Sequence, residues 1–207
     1  MQHYIQKEIH KLSLLLAEIE KDDLLLTIVE KMADECIKAL KQGKKILFAG
    51  NGGSAADSQH LAAELVSRLN YDRPGLAAMA LTTDTSALTA IGNDYTFEHI
   101  FSRQVESLGQ SGDVFIGIST SGKSKNIIRA LNAARSKNML TLGFTGMHAP
   151  LMSDCCDWVL NVPSQETPKI QECHILFGHI ICGLIEDALF GEKYGLKQKQ
   201  KEEAVLV

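Results

Sequence analysis

The sequence predicts an α/β domain with a mostly parallel β-sheet that helices cover on both faces. Five short apolar segments between residues 45 and 162 have the character of strands, and helical patterns separate them. Short, continuously apolar strands that alternate with helices are typical of parallel sheets. Such sheets place their ligand sites beyond the carboxyl ends of the strands, so we expect function to lie in the loops there. The predicted strands are Lys45–Ala49, Leu76–Leu81, Val114–Ile118, Leu140–Phe144 and Trp158–Val162.

Apolar residues at three-to-four spacing predict the helices of this domain. Residues 4–42 form two helices ahead of the first strand, and Gly43 is suited to end the second. These two helices either cover one face of the sheet or form a subunit interface, and the pattern favours neither. We expect residues 1–207 to form one domain, with a helical segment over 1–43, an α/β core over 44–195 and a charged tail over 196–207. The helices predicted between strands are Ser54–Leu69, a broken pattern over Thr85–Leu108, Ser124–Lys137, and finally Thr167–Phe190.

Composition excludes several classes of function. The chain of 207 residues has a formal net charge of −4, so it has no basic footprint for nucleic acid or an acidic membrane. The N-terminus lacks the apolar core of a signal peptide, and the longest apolar stretch, Ile175–Ile185, is too short to span a bilayer. Five cysteines without a Cys-x-x-Cys pair indicate neither a disulfide framework nor a structural zinc cage. We therefore expect a cytoplasmic protein with reduced thiols that binds neither nucleic acid nor membrane.

The first predicted strand runs into a glycine-rich loop, Gly50-Asn51-Gly52-Gly53-Ser54, that opens a helix. Glycine lets the backbone approach a ligand closely, and a helix N-terminus offers free N–H groups. The spacing matches neither the dinucleotide-binding fingerprint nor the Walker loop. The loop is therefore either a ligand contact or a plain tight turn between strand and helix.

The third predicted strand ends in a hydroxyl-rich loop, Ser119-Thr120-Ser121-Gly122-Lys123-Ser124, before another helix. Hydroxyls and backbone N–H groups together suit a phosphate monoester, and the helix dipole favours its charge. A helix cap requires only one such hydroxyl. Four hydroxyls around one glycine therefore indicate a phosphate site.

Two predicted helices carry polar side chains at steps of four residues, which places each set on one helix face. The first set is His60, Glu64 and Arg68, and the second includes Gln171 and His179. Glu64 and Arg68 alone would form an exposed ion pair worth about 0.3–0.5 kcal/mol. A single histidine on an apolar helix, such as His179, is commonly a hydrogen-bonded core residue. If the two helices face each other, however, N and O groups converge as a proton-transfer pair or a metal site requires.

Four segments resemble the sugar isomerase (SIS) domain family and, within it, the sedoheptulose 7-phosphate isomerase branch. They are AGNGGSAADSQHLAAEL at 49–65, IGNDYTFEHIFSRQVE at 91–106, GDVFIGISTSGKS at 112–124 and IQECH at 170–174. Many SIS proteins share the serine-rich loop, whereas Gly-Asn-Asp at 92–94 and Ile-Gln-Glu at 170–172 are more specific. The resemblance extends over nearly the whole chain, including the two leading helices.

The resemblance implies a three-layer αβα sandwich of the flavodoxin-like type, assembled as a homotetramer with active sites at subunit interfaces. It implies a ketose–aldose isomerase that converts D-sedoheptulose 7-phosphate to D-glycero-D-manno-heptose 7-phosphate through an enediolate. In the family this reaction opens ADP-heptose biosynthesis, which supplies lipopolysaccharide, capsule or glycoprotein, and the sequence does not distinguish these destinations. The substrate is a small sugar phosphate, and no nucleotide or nicotinamide cofactor is needed.

The resemblance also assigns roles to individual residues. Glu64 matches the family's catalytic base, and His179 matches its catalytic acid. Some members hold zinc at the positions of His60, Glu64, Gln171 and His179. The expected substrate contacts are Asn51, Gly52, Gly53, Ser54, Arg68, Asn93, Asp94, Ser119, Thr120, Ser121, Ser124 and Gln171.

One position departs from the family pattern, because Lys169 stands ahead of Ile-Gln-Glu where an arginine is usual. Lysine keeps the charge but loses the bidentate fork, so substrate recognition would weaken if this side chain touches the substrate. Some SIS proteins bind a partner without turnover, among them a tetrameric factor that binds the bacterial replication initiator. A non-catalytic binding protein or phosphosugar sensor is therefore the competing hypothesis, although Glu64 and His179 are both retained.

Overall fold

A computed structural model describes residues 1–195 and contains, in that range, one sheet of five parallel strands. These are β1 (Ile46–Gly50), β2 (Ala78–Ala80), β3 (Val114–Ile118), β4 (Leu140–Thr145) and β5 (Trp158–Asn161). The strand order β2-β1-β3-β4-β5 is that of flavodoxin-like doubly wound sheets. The predicted α/β fold is therefore confirmed. The second strand is shorter than predicted, because β2 lies at the edge and pairs only with β1.

Helices cover both faces of the sheet and give the domain three layers. Ile46 and Phe48 of β1 pack into a core on one side, and Leu47 and Ala49 pack into a second core on the other. This alternation follows from the two-residue period of a strand. The helices are α1 (Gln2–Ile19), α2 (Asp23–Lys41), α3 (Gly53–Val66), α4 (Thr85–Asp94), α5 (Ser102–Leu108), α6 (Lys125–Ser136), α7 (Pro150–Ser153) and α8 (Thr167–Phe190).

The two N-terminal helices differ in burial. Met32 and Cys36 of α2 are fully buried in the same core as α3 and α8, so α2 covers the sheet. On α1, by contrast, only Leu15 and Ile19 are buried. Several large apolar side chains of α1 are exposed instead, namely Tyr4, Ile5, Ile9 and Leu14. Of the two roles that the sequence left open, covering the sheet therefore applies to α2, whereas α1 presents exposed apolar side chains.

Two helical predictions need correction. The helix predicted to reach Leu69 ends at Val66, and Ser67 leaves helical geometry with ψ −95°. Arg68 therefore does not continue the helix face of His60 and Glu64. The broken pattern over 85–108 is resolved into α4, a short 3-10 turn at Phe97–His99 and α5. The charged tail predicted over 196–207 lies outside the described residues.

The last long helix, α8, is apolar enough to cross a membrane by length and composition alone. The candidate segment Thr167–Lys193 has a mean hydropathy of 1.5, yet 44% of the scored stretch is buried inside the protein. Phe177 and Ile181 of α8 belong to the core that also contains residues of α2 and α3. Its buried His174 contacts the Thr145 carbonyl through Nε2 at 3.2 Å. These are the features of a core helix in a globular domain.

The sheet reverses its direction of winding between β1 and β3, which are neighbours. Gly50 at the end of β1 is the register partner of Ile118 at the end of β3. The chain leaves β1 for α3 on one face and leaves β3 for α6 on the other. The glycine-rich and serine-rich loops therefore lie side by side at the position where doubly wound sheets bind ligands.

Candidate active site

A reciprocal pair of amide hydrogen bonds joins the loops that follow β1 and β3. Asn51 Nδ2 donates to Asn126 Oδ1 over 2.9 Å, and Asn126 Nδ2 donates to Asn51 Oδ1 over 2.8 Å. Asn126 lies in the first turn of α6 and is buried, whereas Asn51 is half-buried. Because each amide both donates and accepts, the pair fixes the two loops relative to each other.

Internal hydrogen bonds hold the serine loop and leave the start of α6 open. Ser119 Oγ donates to Ser124 Oγ over 2.9 Å, and the Gly122 N–H donates to the Ser119 carbonyl over 3.0 Å. Ser124 occupies the N-cap position of α6, but its side chain makes no capping hydrogen bond. Uncapped N–H groups at a helix start are available to an anion. With half-buried Thr120 and exposed Ser121, the loop has the donors of a phosphate site.

The glycine-rich loop shapes the start of α3. Gly52 has φ +55°, a left-handed conformation that favours glycine. A Cβ atom at Gly53 would lie 2.6 Å from Gln171 Nε2, so the side chain of Gln171 rests on this backbone. Ser54 is buried, and its carbonyl accepts a hydrogen bond from Ser58 Oγ over 2.8 Å. The loop thus brings Gln171 of α8 against the first turn of α3.

Three side chains from α3 and α8 converge further along these helices. His60 Nε2 lies 2.8 Å from His179 Nε2 and 3.2 Å from Glu64 Oε1. One donor atom of each of the three lies within 4.8 Å of the other two. The Glu64 side chain is 19% exposed and that of His60 49% exposed, so solvent reaches the cluster. The arrangement can transfer protons or hold a metal ion.

The donor set of this cluster fits zinc. Zinc prefers imidazole nitrogen and carboxylate oxygen at about 2.0–2.1 Å, which puts two ligand atoms of a tetrahedral site roughly 3.3 Å apart. The separations from His60 to His179 and to Glu64 are 2.8 Å and 3.2 Å. A small adjustment of the side chains would therefore suffice to ligate the ion.

Gln171, the fourth position implied for zinc, lies away from this cluster. It contacts Gly53, which precedes His60 by seven residues on α3. On α8 it precedes His179 by eight residues, or about 12 Å along the axis at 1.5 Å per residue. The structure thus brings three of the four expected ligands together within one chain.

The comparisons with known proteins agree with this architecture. The SIS domain family matches residues 8–146, which is more than half of the chain. The phosphoheptose isomerase of Burkholderia pseudomallei (strain 1710b) is 56% identical over 190 residues, which are 92% of this chain and 96% of that relative. This chain belongs to the phosphoheptose isomerases of the SIS domain family.

Further relatives support the same assignment. Phosphoheptose isomerase 2 of Campylobacter jejuni is 55% identical over 87% of this chain and 90% of its own length. The structure of phosphoheptose isomerase GmhA from Neisseria gonorrhoeae matches with a TM-score of 0.84 and 44% identity, over 90% of this chain and 98% of that one. The predicted family and the predicted isomerase class are therefore confirmed, and the binding-only alternative is not favoured.

Three expected substrate contacts lie outside the loops and the histidine cluster. Arg68 is exposed and forms no ion pair within residues 1–195, and Glu64 contacts His60 instead. The exposed Glu64–Arg68 pair considered from the sequence is therefore absent from this part of the chain. Asn93 and Asp94 end α4, are both exposed, and bond each other through Asn93 Nδ2 and Asp94 Oδ1 at 2.8 Å.

Lys169, the departure from the family pattern, is buried between α1 and α8. Its Nζ lies 3.0 Å from Glu172 Oε2 and 3.6 Å from Glu8 Oε2. The hydrogen bond to Glu172 is the main cause of a raised pKa for the Lys169 ammonium. Its charge therefore holds α1 against the start of α8.

Sequence reasoning missed two polar residues beside the site, Asn126 and Asp57. Asn126 falls within an amphipathic helix pattern, and its partner Asn51 is 75 residues away, so only the fold reveals the pair. Asp57 lies one turn before His60 on α3, and its Oδ2 is buried with no hydrogen-bond partner among the described residues. Burial raises the pKa of the Asp57 carboxyl, and the nearby His60 opposes that rise. The available signal for Asp57 was that its carboxylate falls on the side of α3 that buries Ser58 and Leu61.

Proposed function

We propose that this isomerase interconverts D-sedoheptulose 7-phosphate and D-glycero-D-manno-heptose 7-phosphate. The observation that carries the proposal is the convergence of a carboxylate, Glu64, with an imidazole, His179, on adjacent helices. The names of the relatives support a heptose phosphate as substrate. Aldose–ketose interconversion needs one base that serves two adjacent carbons and one acid that serves their oxygens.

Glu64 is the proposed base. It takes a proton from C1 of the ketose and returns it to C2, which gives the aldose through a cis-enediolate. His179 is the proposed acid, which moves the proton between the C1 and C2 oxygens, because imidazole exchanges protons near neutral pH. His60, at hydrogen-bond distance from His179 and Glu64, would orient both groups.

The serine loop would anchor the phosphate at the far end of the substrate. Ser119, Thr120, Ser121 and Ser124 supply hydroxyls, and the uncapped start of α6 supplies N–H groups. The amide pair keeps Asn51, Gly52 and Gly53 beside that anchor. Binding energy from the phosphate would orient the reacting carbons without taking part in the chemistry.

We propose zinc as the metal of this site, held by His60, Glu64 and His179. Two imidazoles and a carboxylate are ligands that zinc prefers, whereas a glutamine amide is a weaker one. When bound, the ion would act as a Lewis acid on the oxygens of the substrate. Glu64 and His179 remain the groups that we propose to move protons.

We further propose a homotetramer whose active sites combine residues of more than one protomer. The exposed apolar side chains of α1 support this, as does a second exposed row on α8 formed by Leu176, Ile180 and Leu184. The row lies beside His179, so a partner that covers it would reach the histidine cluster. A partner could then supply Gln171, Arg68, Asn93 or Asp94, which the single chain leaves away from that cluster.

The proposed setting is the cytoplasm, where sugar phosphates are made and used. There the heptose phosphate would enter ADP-heptose biosynthesis and supply lipopolysaccharide. The net charge of −4 and the packing of α8 within the domain fit an enzyme acting on a small solute.

The test is turnover of D-sedoheptulose 7-phosphate by purified protein without an added redox cofactor. We expect the aldose phosphate as product, identified by NMR, and strongly reduced turnover by the Glu64→Gln variant run in parallel. Absence of turnover with phosphate-ester binding intact would favour a binding protein and overturn the proposal.

A further inference from the structure

A buried ion pair fastens α3 to α8 beyond the histidine cluster. Arg73 Nε donates to Glu186 Oε1 over 2.9 Å, and neither side chain is exposed to solvent. Arg73 follows α3 in the chain, and Glu186 lies on α8. The pair therefore connects the helix that carries Glu64 to the helix that carries His179.

The guanidinium of Arg73 is bonded to the end of α3. Its Nη2 donates to the Glu64 carbonyl over 2.8 Å, and its Nη1 donates to the Leu65 and Ser67 carbonyls over 2.6 Å and 3.2 Å. The last carbonyls of a helix have no partner within it, so they need donors from elsewhere. Arg73 thus holds the backbone of the proposed base itself.

The carboxylate of Glu186 accepts hydrogen bonds from the backbone of the segment that follows α3. It accepts the N–H groups of Leu69, Asn70 and Tyr71 over 3.0, 2.6 and 3.3 Å. Glu186 lies seven residues after His179, which puts both on one face of α8. The same helix face therefore contacts α3 through His179 and, two turns later, contacts the segment that follows α3 through Glu186.

The helices also approach closely at the level of the histidine cluster. A Cβ atom at Gly178 would lie 2.5 Å from the side chain of Leu61, so a larger residue would force α3 and α8 apart. Close packing limits their separation but not their sliding along each other. The Arg73–Glu186 pair supplies fixed points at the end of α3, where sliding would separate Glu64 from His179.

Stability alone is a weak reason for such a pair. Buried ion pairs can often be replaced by apolar side chains without loss of stability, because desolvation offsets the attraction between the charges. A device that fixes geometry, by contrast, needs directional bonds. The guanidinium of Arg73 and the two carboxylate oxygens of Glu186 supply them, because each bonds several backbone groups as well as the other. We infer that Arg73 and Glu186 are positioning residues that fix where Glu64 lies, along the helix axes, relative to His179. This inference rests on the catalytic roles proposed for those two residues.

A matched control exists at the amino ends of the strands, opposite the loops that form the site. Asp113, just before β3, is also a buried carboxylate that accepts backbone N–H groups, from Lys45 at 3.1 Å and Gln110 at 2.8 Å. The carboxylate of Asp113 also forms an ion pair with the Lys45 ammonium at 2.5 Å. Glu186→Gln and Asp113→Asn therefore remove equivalent charges, one beside the proposed catalytic helices and one remote from them.

The experiment compares kcat and KM of Glu186→Gln, Arg73→Lys and Asp113→Asn, at a temperature where circular dichroism shows each variant folded. We expect kcat to fall about 10- to 100-fold in the first two variants, because displacement by about 1 Å costs up to 10²-fold. KM should stay within about threefold, since the phosphate loop is untouched. Asp113→Asn should keep its kcat. Equal kcat in all folded variants would overturn the inference, and Arg73→Lys decides it if Glu186→Gln does not fold.

A second readout does not depend on turnover. In protein with 13C-labelled histidine rings, the His60 and His179 resonances report their mutual contact, at a ring separation of 5.0 Å. We expect both resonances to shift in Glu186→Gln and neither to shift in Asp113→Asn. Unshifted resonances in Glu186→Gln would overturn the positioning role. If the wild-type protein lacks turnover, the proposed function fails while the resonances still decide this inference.

Discussion

His60 Nε2 lies 2.8 Å from His179 Nε2, although 119 residues separate the two in sequence. Two ring nitrogens at this distance share one proton or one metal ion, because only one of them can donate to the other. Glu64 Oε1 lies 3.2 Å from the same nitrogen of His60. Acid–base chemistry and metal binding therefore depend on the same three side chains, and different substitutions are needed to separate them.

Glu64→Gln should lower kcat by roughly 10²–10⁴-fold, because it removes the proposed base while preserving the shape of the side chain. Substrate should still bind, since the serine loop is unchanged, and calorimetry with the substrate measures this. Glu35→Gln, in a surface ion pair with Lys38, is the matched control and should keep normal kinetics. Near-normal kcat in Glu64→Gln would remove Glu64 from the mechanism.

Protein purified without chelator should contain zinc by elemental analysis. His60→Ala should lower the zinc content, because it removes one imidazole from the set of His60, Glu64 and His179. His148→Ala, which removes an exposed histidine, should retain the metal. Full activity of metal-free protein would discard zinc and leave the assignment of Glu64 and His179 intact.

Replacing Ser121 and Ser124 together with alanine should raise KM more than it lowers kcat. Contacts to the phosphate are the same in substrate and transition state, so their loss weakens binding uniformly. Steady-state kinetics with D-sedoheptulose 7-phosphate measures both constants. Ser136→Ala, on the last turn of the same helix α6, provides the comparison and should match wild type. Unchanged KM in the double variant would exclude the loop from the site.

The part of the fold that the sequence predicted is local. Strands such as Val114–Ile118 are short apolar runs, and the loop after each one shows its glycines or hydroxyls directly. The His60–Glu64 contact follows from a step of four residues on one helix. These features depend on neighbours in the chain, which the sequence displays.

The remaining features depend on distant partners. Ser67, Arg68 and Leu69 extend a helical pattern, yet α3 ends at Val66, where Arg73 and Glu186 bind the backbone groups that a longer helix would use. The sequence does not mark Arg73 or Glu186 as buried partners, because isolated charged residues are usually solvated. The contact of His60 with His179 likewise required either a resemblance to a known family or the structure itself.

Light scattering should give a mass near four chains. Ile180 is 40% exposed on α8, next to His179, so Ile180→Asp should weaken assembly by placing a charge in the interface. Turnover should fall with the mass if partners complete the active site. Leu151→Asp, on α7 at the other side of the sheet, should leave the tetramer intact. An active monomer would show that the exposed apolar side chains of α1 and α8 do not form a subunit interface.

The final prediction concerns acid stability and His174. This histidine is fully buried, and burial lowers its pKa to about 4, while its hydrogen bond to the Thr145 carbonyl acts in the opposite direction. An unfolded histidine titrates near 6.5, so between about pH 6.5 and 4 the unfolded chain binds more protons than the folded one. The stability that neutral His174 contributes is therefore present above about pH 6.5 and is lost as the pH falls towards 4. A shift of this size corresponds to about 3 kcal/mol at the acid end.

Urea denaturation at fixed protein concentration, measured at several pH values from 7 to 4, tests this. We expect the free energy of unfolding of wild type to fall more steeply with acid than that of His174→Asn, so that the gap between them narrows. His3→Asn, which replaces an exposed histidine, should parallel wild type throughout. A constant gap between wild type and His174→Asn would show that His174 does not couple protonation to unfolding, because a group with equal pKa in both states contributes no pH dependence.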